Sequence, residues 1–187
     1  MRHRAVGFAI ALTVVSGLLG MSPTALAGDR PYQPDGWIKL CGQSLGCTID
    51  PPPHPWKGKD VYNRTGRRQT LSDDINEGEG IRYWIAIQND GTNDDTIDVD
   101  GCPGNPTFEI NRVLLGKHKR QDPGAQDLTR RYIADTLTFT LDRGEKAVFT
   151  LNVITHVRKN QTYECRTVFT SEGNGRADVV VVRMTTF

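Results

Sequence analysis

The sequence predicts an all-β fold, an antiparallel β-sandwich behind a proline-rich N-terminal arm. Three observations predict it. Apolar and polar residues alternate with a period of two along most of the chain after residue 59. Clusters of Gly, Asn and Asp punctuate these runs with turn chemistry. No segment sustains a 3.6-residue period, and Leu128–Ala134 is the best short helical candidate.

Residues 1–27 differ in composition from the rest. Arg2 and Arg4 precede an apolar run over Val6–Leu19, and Ala25-Leu26-Ala27 makes an A-x-A cleavage site before Gly28. This is the pattern of a secretory signal peptide. The run is shorter than the ~20 residues a membrane span needs, which disfavours an uncleaved anchor. Removing 1–27 takes Arg2 and Arg4 from the 23 Lys and Arg and none of the 22 acids, so 21 face 22 and the net charge is −1. That balance excludes a polyanion binder working by bulk electrostatics, so no nucleic-acid partner is expected. No second apolar stretch of spanning length follows, and a secreted, extracellular product without a membrane span is expected.

The arm over 28–59 carries Pro31, Pro34, Pro51-Pro52-Pro53 and Pro55, which predict irregular backbone. It also carries Trp37, Trp56, Cys41 and Cys47, which predict an ordered arm packed on a domain over 60–187 rather than a free linker. The four cysteines, Cys41, Cys47, Cys102 and Cys165, imply two disulfides in an oxidising compartment. Three pairings are possible. The short Cys41–Cys47 spacing with two glycines inside favours that closure. Cys102–Cys165 would then close a loop of roughly 60 residues, worth about 4 kcal/mol in the chain-entropy description. A four-cysteine zinc site needs closely spaced pairs, and Cys102 and Cys165 have none.

In the domain, Ile81, Tyr83, Ile85 and Ile87 share one phase, ended by Asn89-Asp90-Gly91. Short strands follow at Ile97–Val99 and from Phe108 towards Leu115. Leu137, Phe139 and Leu141 lead through Asp142-Arg143-Gly144 into Ala147–Val153, which reads as a hairpin. Tyr163–Phe169 and Val179–Thr186 close the set around Glu172-Gly173-Asn174-Gly175, and the four valines from Val179 predict burial on both faces. About seven strands with turns between them point to a sandwich of the immunoglobulin type. Ile85, Ile87, Phe139, Phe149, Leu151 and Phe169 should point inward. Trp84 falls on the opposite phase: it is either an exposed binding aromatic or is covered by the arm. Cover is favoured, because a bare Trp on an outer sheet face invites aggregation.

The stretch Trp84-Ile-Ala-Ile-Gln-Asn-Asp-Gly, with Leu141-Asp-Arg-Gly-Glu and Phe149-Thr-Leu-Asn-Val, resembles secreted bacterial Ig-like modules, including the cell-adhesion-related type. Val61-Tyr-Asn-Arg-Thr-Gly-Arg-Arg-Gln-Thr resembles the entry strand of such modules in actinobacterial secreted proteins. The resemblance covers the last two-thirds of the chain and implies a binding or architectural role. It brings no catalytic residues with it.

Candidate chemistry is sparse. Gly42-Gln43-Ser44-Leu45-Gly46 has the letters of a nucleophile elbow. The flanking Cys41 and Cys47 and the prolines beyond replace the strand and helix that motif needs. A small secreted serine hydrolase using Ser44 is therefore the alternative, not the leading reading. Asp90, Asp94, Asp98 and Asp100, with Asn93 and Asp95, make an acidic region suited to Ca²⁺, although solvated turn acids explain them as well. A Ca²⁺-dependent carbohydrate- or surface-binding domain is a further alternative. His54, His118 and His156 lack metal-ligand spacing, and no cofactor is expected. Lys117, His118, Lys119 and Arg120 form a basic loop available for binding. Asn63 and Asn160 head N-glycosylation sequons. The expected function is non-catalytic binding of an extracellular protein or polysaccharide, through the loops at Asp90–Gly104 and Gly116–Asp127.

Overall fold

A computed structural model describes residues 30–43, 55–116, 125–156 and 159–187. Among these residues the chain forms nine strands and one short helix. In order they are β1 (Pro34–Gln43), β2 (Thr70–Ile75), β3 (Gly80–Asn89), β4 (Asp95–Asp100), β5 (Phe108–Leu115), α1 (Thr129–Ile133), β6 (Leu137–Leu141), β7 (Lys146–Thr155), β8 (Thr162–Ser171) and β9 (Ala177–Thr186). They build an immunoglobulin-like β-sandwich. One sheet has the order β1-β3-β7-β5, the other β2-β9-β8-β4-β6.

The period of two explains the core. Ile81, Tyr83, Ile85 and Ile87 of β3 are fully buried, as are Phe149, Leu151 and Val153 of β7 and Phe169 of β8. Val180, Val182 and Met184 of β9 belong to the same cluster. Each large apolar side chain buried this way stabilises the fold by about 1.5–3 kcal/mol. Phe139 is only partly buried, because β6 is an edge strand; its ring stacks on Phe149 at 6.1 Å. Val179–Val182 are all buried, with the 61–69 segment packed so closely over β9 that a Cβ on Gly66 would lie 2.3 Å from Val181 Cγ2.

Cys102 and Cys165 form a disulfide with Cα atoms 5.4 Å apart. β4 and β8 are neighbours, with Asp100 opposite Val168. The bridge therefore staples two strands of one sheet at the end of their ladder and does not join the two layers. Tyr132 of α1 seals it, its hydroxyl 2.6 Å from Thr167 Oγ1 and 3.5 Å from Cys165 Sγ. Cys41 is also disulfide-bonded; its expected partner Cys47 lies outside the described residues, as do 1–27 and Pro51–Pro53.

Four expectations are corrected. Residues 34–43 are not irregular but form the edge strand β1, antiparallel to β3. Pro34 sits at its first position, where a missing N–H breaks no ladder bond. The runs on either side of Asp142-Arg143-Gly144 are not hairpin partners: β6 pairs with β4 and β7 with β3 and β5, so the turn carries the chain from one sheet to the other. The sandwich is not wholly antiparallel, because β2 runs parallel to β9. The entry strand begins at Thr70, not Val61. Asn63 explains the delay: its side-chain oxygen accepts from the backbone of Thr65 and Arg67, each at 3.0 Å, and holds 63–67 in a turn.

Candidate functional site

The segments before β1, after β3, between β6 and β7 and between β8 and β9 meet at one end of the sandwich. Asn89 organises this end. Fully buried, it donates through Nδ2 to the carbonyls of Asn93 (2.8 Å) and Leu141 (3.0 Å) and accepts from Gly91 N (3.0 Å). Backbone bonds from Asp90 to Gln33 (2.8 Å) and from Thr92 to Arg30 (3.1 Å) tie the chain before β1 to the same loop. Asn174 Nδ2 donates to the carbonyl of Tyr32 at 2.9 Å.

Three arginines converge here. Arg30, Arg64 and Arg176, with Gln33 and Tyr62, line a cleft of ≈ 300 Å³. Arg30 and Arg176 both donate to Gln33 Oε1, at 3.4 and 3.2 Å, and Arg64 donates to the carbonyl of Gly175 at 2.6 Å. Arg30 also lies 5.5 Å from the Tyr62 ring centre. None of the three forms an ion pair among the described residues, and each is exposed. Guanidinium groups held only by neutral acceptors keep N–H donors for a carboxylate, sulfate or phosphate, which they bind in a planar fork.

Beside the cleft lie three carboxylates. Tyr62 donates to Asp90 Oδ2 at 2.7 Å, and burial together with that bond raises the Tyr62 hydroxyl well above its ordinary range. One carboxylate oxygen of Asp90 lies within 4.8 Å of one from Asp35 and one from Asp60. Asp35 is fully buried; its Oδ2 accepts from Trp37 Nε1 and from Asp60 N at 3.0 Å. Burial pushes the Asp35 carboxyl up to about 7, with repulsion from Asp90 and Asp178 adding to the rise and the bonds from Trp37 and Asp60 opposing it.

The outer face of the four-stranded sheet continues from this cluster. Trp84 is 7% exposed, stacked on Trp56 at 6.5 Å, and Trp56 meets Trp37 edge-on at 6.0 Å. Lys39 lies directly across from Trp84 in the β1–β3 ladder, its Nζ 4.8 Å from that ring and 5.1 Å from Trp56. Residues 55–59 reach this position because Ile38 and Lys57 exchange two backbone bonds of 2.8 Å. Trp84 is thus covered by the N-terminal segment.

The acidic residues named from sequence do not converge. Asp90 joins Asp35 and Asp60, while Asp94 accepts from the Arg143 backbone at 3.1 Å. Asp98 and Asp100 project from β4 on its outer face. Asp90–Gly104 is not one loop, because β4 runs through it and places Asp94 and Gly101 at opposite ends of a strand. His156 pairs with Glu109 at 2.5 Å on the surface. Asn63 Nδ2, the sequon nitrogen, already donates to Arg67 O (2.9 Å) and Gln69 Oε1 (2.7 Å). Ser44, Cys47, His54 and the basic loop Lys117, His118, Lys119 and Arg120 lie outside the described residues. Sequence reasoning missed Arg30, Asp35, Asp60, Arg64 and Arg176, each isolated among ordinary surface or turn residues.

No protein-family model and no curated protein matches the chain. Among solved structures, a family 123 glycoside hydrolase from Clostridium perfringens is similar with a TM-score of 0.43 and 10% identity. The match covers 64% of this chain and 23% of that one, so the chain spans less than a quarter of the hydrolase. The CARDB domain of a Pyrococcus furiosus protein, solved in complex with di-metal ions, is similar with a TM-score of 0.38 and 12% identity, over 83% of this chain and 89% of that one. A PapD-like domain of human CEP192 gives 0.34 and 12%, over 64% and 81%.

Proposed function

We propose that the chain is a secreted, non-catalytic module that holds an extracellular protein or polysaccharide by an acidic group, in the cleft of Arg30, Arg64 and Arg176. Export would remove 1–27 and leave the arm and sandwich as the working protein. The reading is supported by a disulfide-stapled sandwich, since such bridges persist in oxidising compartments. The observation that carries it is the cleft itself: three guanidinium groups from three separate segments, with neutral hydrogen-bond partners and no ion pair among the described residues.

The test uses the full secreted chain against immobilised uronate polysaccharide, sulfated polysaccharide, acidic peptide and a neutral glucan. Binding to an acidic surface and not to the glucan is expected, weakened roughly tenfold or more in the Arg64→Ala/Arg176→Ala double variant, because charged hydrogen bonds carry the contact. Both side chains are exposed, so the variant keeps the fold. Equal binding by variant and wild type, or no acidic preference, overturns the cleft as the binding surface. N-terminal sequencing of the exported protein tests processing, with Gly28 the expected first residue.

A further inference from the structure

We propose that Asp35, Asp60 and Asp90 form a binding site for a hard divalent cation of the Ca²⁺ type. The three acids come from the start of β1, the turn after Trp56 and the residue that follows β3, so the fold and not the sequence brings them together. One oxygen from each lies within 4.8 Å of the others. That is the span bridged by an ion with oxygen ligands at about 2.3–2.6 Å.

A second observation points to the missing partner. The Asp35 side chain is fully buried, and while Oδ2 takes two donors, Oδ1 is buried and takes none. A buried carboxylate oxygen without a protein donor is unfavourable, and a cation bound by Asp60 and Asp90 would supply what it lacks. No Lys or Arg forms an ion pair with any of the three among the described residues. Lys59 and Lys146 place their ammonium groups over the Trp37 ring, at 5.6 and 5.7 Å from its centre. Asp60 is exposed, so an ion can enter from solvent and keep water in its remaining positions. Three carboxylates on loop-end backbone suit the looser geometry of Ca²⁺ better than the strict octahedron of Mg²⁺.

The probe is CaCl₂ added to the full, disulfide-bonded chain after chelator treatment, with NaCl at matched ionic strength as control. Saturable binding with a Kd on the order of 10⁻⁴–10⁻³ M is expected, the range of extracellular modules. Trp37 donates a hydrogen bond to Asp35, so Tb³⁺ at the site should emit when tryptophan is excited, and Ca²⁺ should displace it. Asp60→Asn and Asp90→Asn should each weaken Ca²⁺ binding roughly tenfold or more and lose the Tb³⁺ signal. In chelator both variants should melt at or above the wild-type temperature, because one of three crowded negative charges is gone; a merely structural carboxylate would lower it. The proposal is overturned by no saturable binding up to about 10 mM CaCl₂, or by binding that is undiminished in both variants. The readout is ion binding alone, so it stands or falls separately from the arginine cleft.

Discussion

Asp178 shows how much of this fold hangs on single polar atoms. Its fully buried carboxylate accepts from Gly36 N (2.7 Å), Asn63 N (2.9 Å) and Gln69 Nε2 (2.7 Å), tying β1 and the 63–69 turn to β9. Gln69 Nε2 donates as well to the Gly36 carbonyl at 3.0 Å, so the carboxylate sits inside a buried network. Asp178→Asn, which turns an NH₂ towards N–H groups, should cost about 2–3 kcal/mol in urea unfolding. At the surface, Glu164 bonds Arg183 at 2.7 Å and Arg166 at 3.5 Å, and the Arg183 bond above all holds its carboxyl below the usual value. Since the folded-state pKa is depressed, the stabilisation is present above the unfolded value of 4.5 and is lost as pH falls through the folded one. Both partners are largely solvated, so Glu164→Gln should cost only a few tenths of a kcal/mol at pH 7. Melts repeated at successively lower pH should show the difference between variant and wild type shrinking. Residues of these kinds differ in legibility. Ile85 and Phe149 announce their burial by phase, whereas Asp35 beside Pro34 and Asp60 beside Lys59 look like ordinary turn acids. Nothing local marks two acids that become neighbours only through folding.

Among the elements, β1 is the least legible and one of the most consequential. Prolines at 31 and 34 suggest a break, yet a proline forbids ladder donation only at its own position, and the strand runs from Pro34 onward. Trp37 and Lys39 project outward from it and, with Trp56, cover Trp84. Trp56→Ala should therefore destabilise the domain by about 2 kcal/mol, through lost stacking and burial. Acrylamide should then quench the remaining tryptophan emission more strongly; unchanged quenching would mean that Trp56 shields nothing. β6 and β7 teach the complementary lesson. Asp142-Arg143-Gly144 does reverse the chain, but a turn fixes only the reversal. Pairing was decided by burial, which places Phe149 and Leu151 between the layers and leaves β6 to extend β4.

For the molecule as a whole, the two-layer architecture and most strands after residue 80 were readable from alternation and turn residues, as was the Cys102–Cys165 pairing. The parallel edge and the division of the first two strands between sheets were not, since both depend on contacts far apart in sequence. The Cys102–Cys165 bridge, 63 residues apart, restricts the unfolded chain. Replacing both cysteines with Ala should lower stability by about 3–4 kcal/mol, as read by guanidinium unfolding. A smaller loss would indicate that the β4–β8 ladder already confines the unfolded chain.

The parallel seam between β2 and β9, clamped by Asp178 across 142 residues to Gly36, also sets an order of events. A ribosome emits the chain from its N-terminus, so β1 and β2 wait for the final strand before their last bonds can form. Such distant pairing is slow. Until that closing strand arrives, the first two strands hold only part of their final pairing.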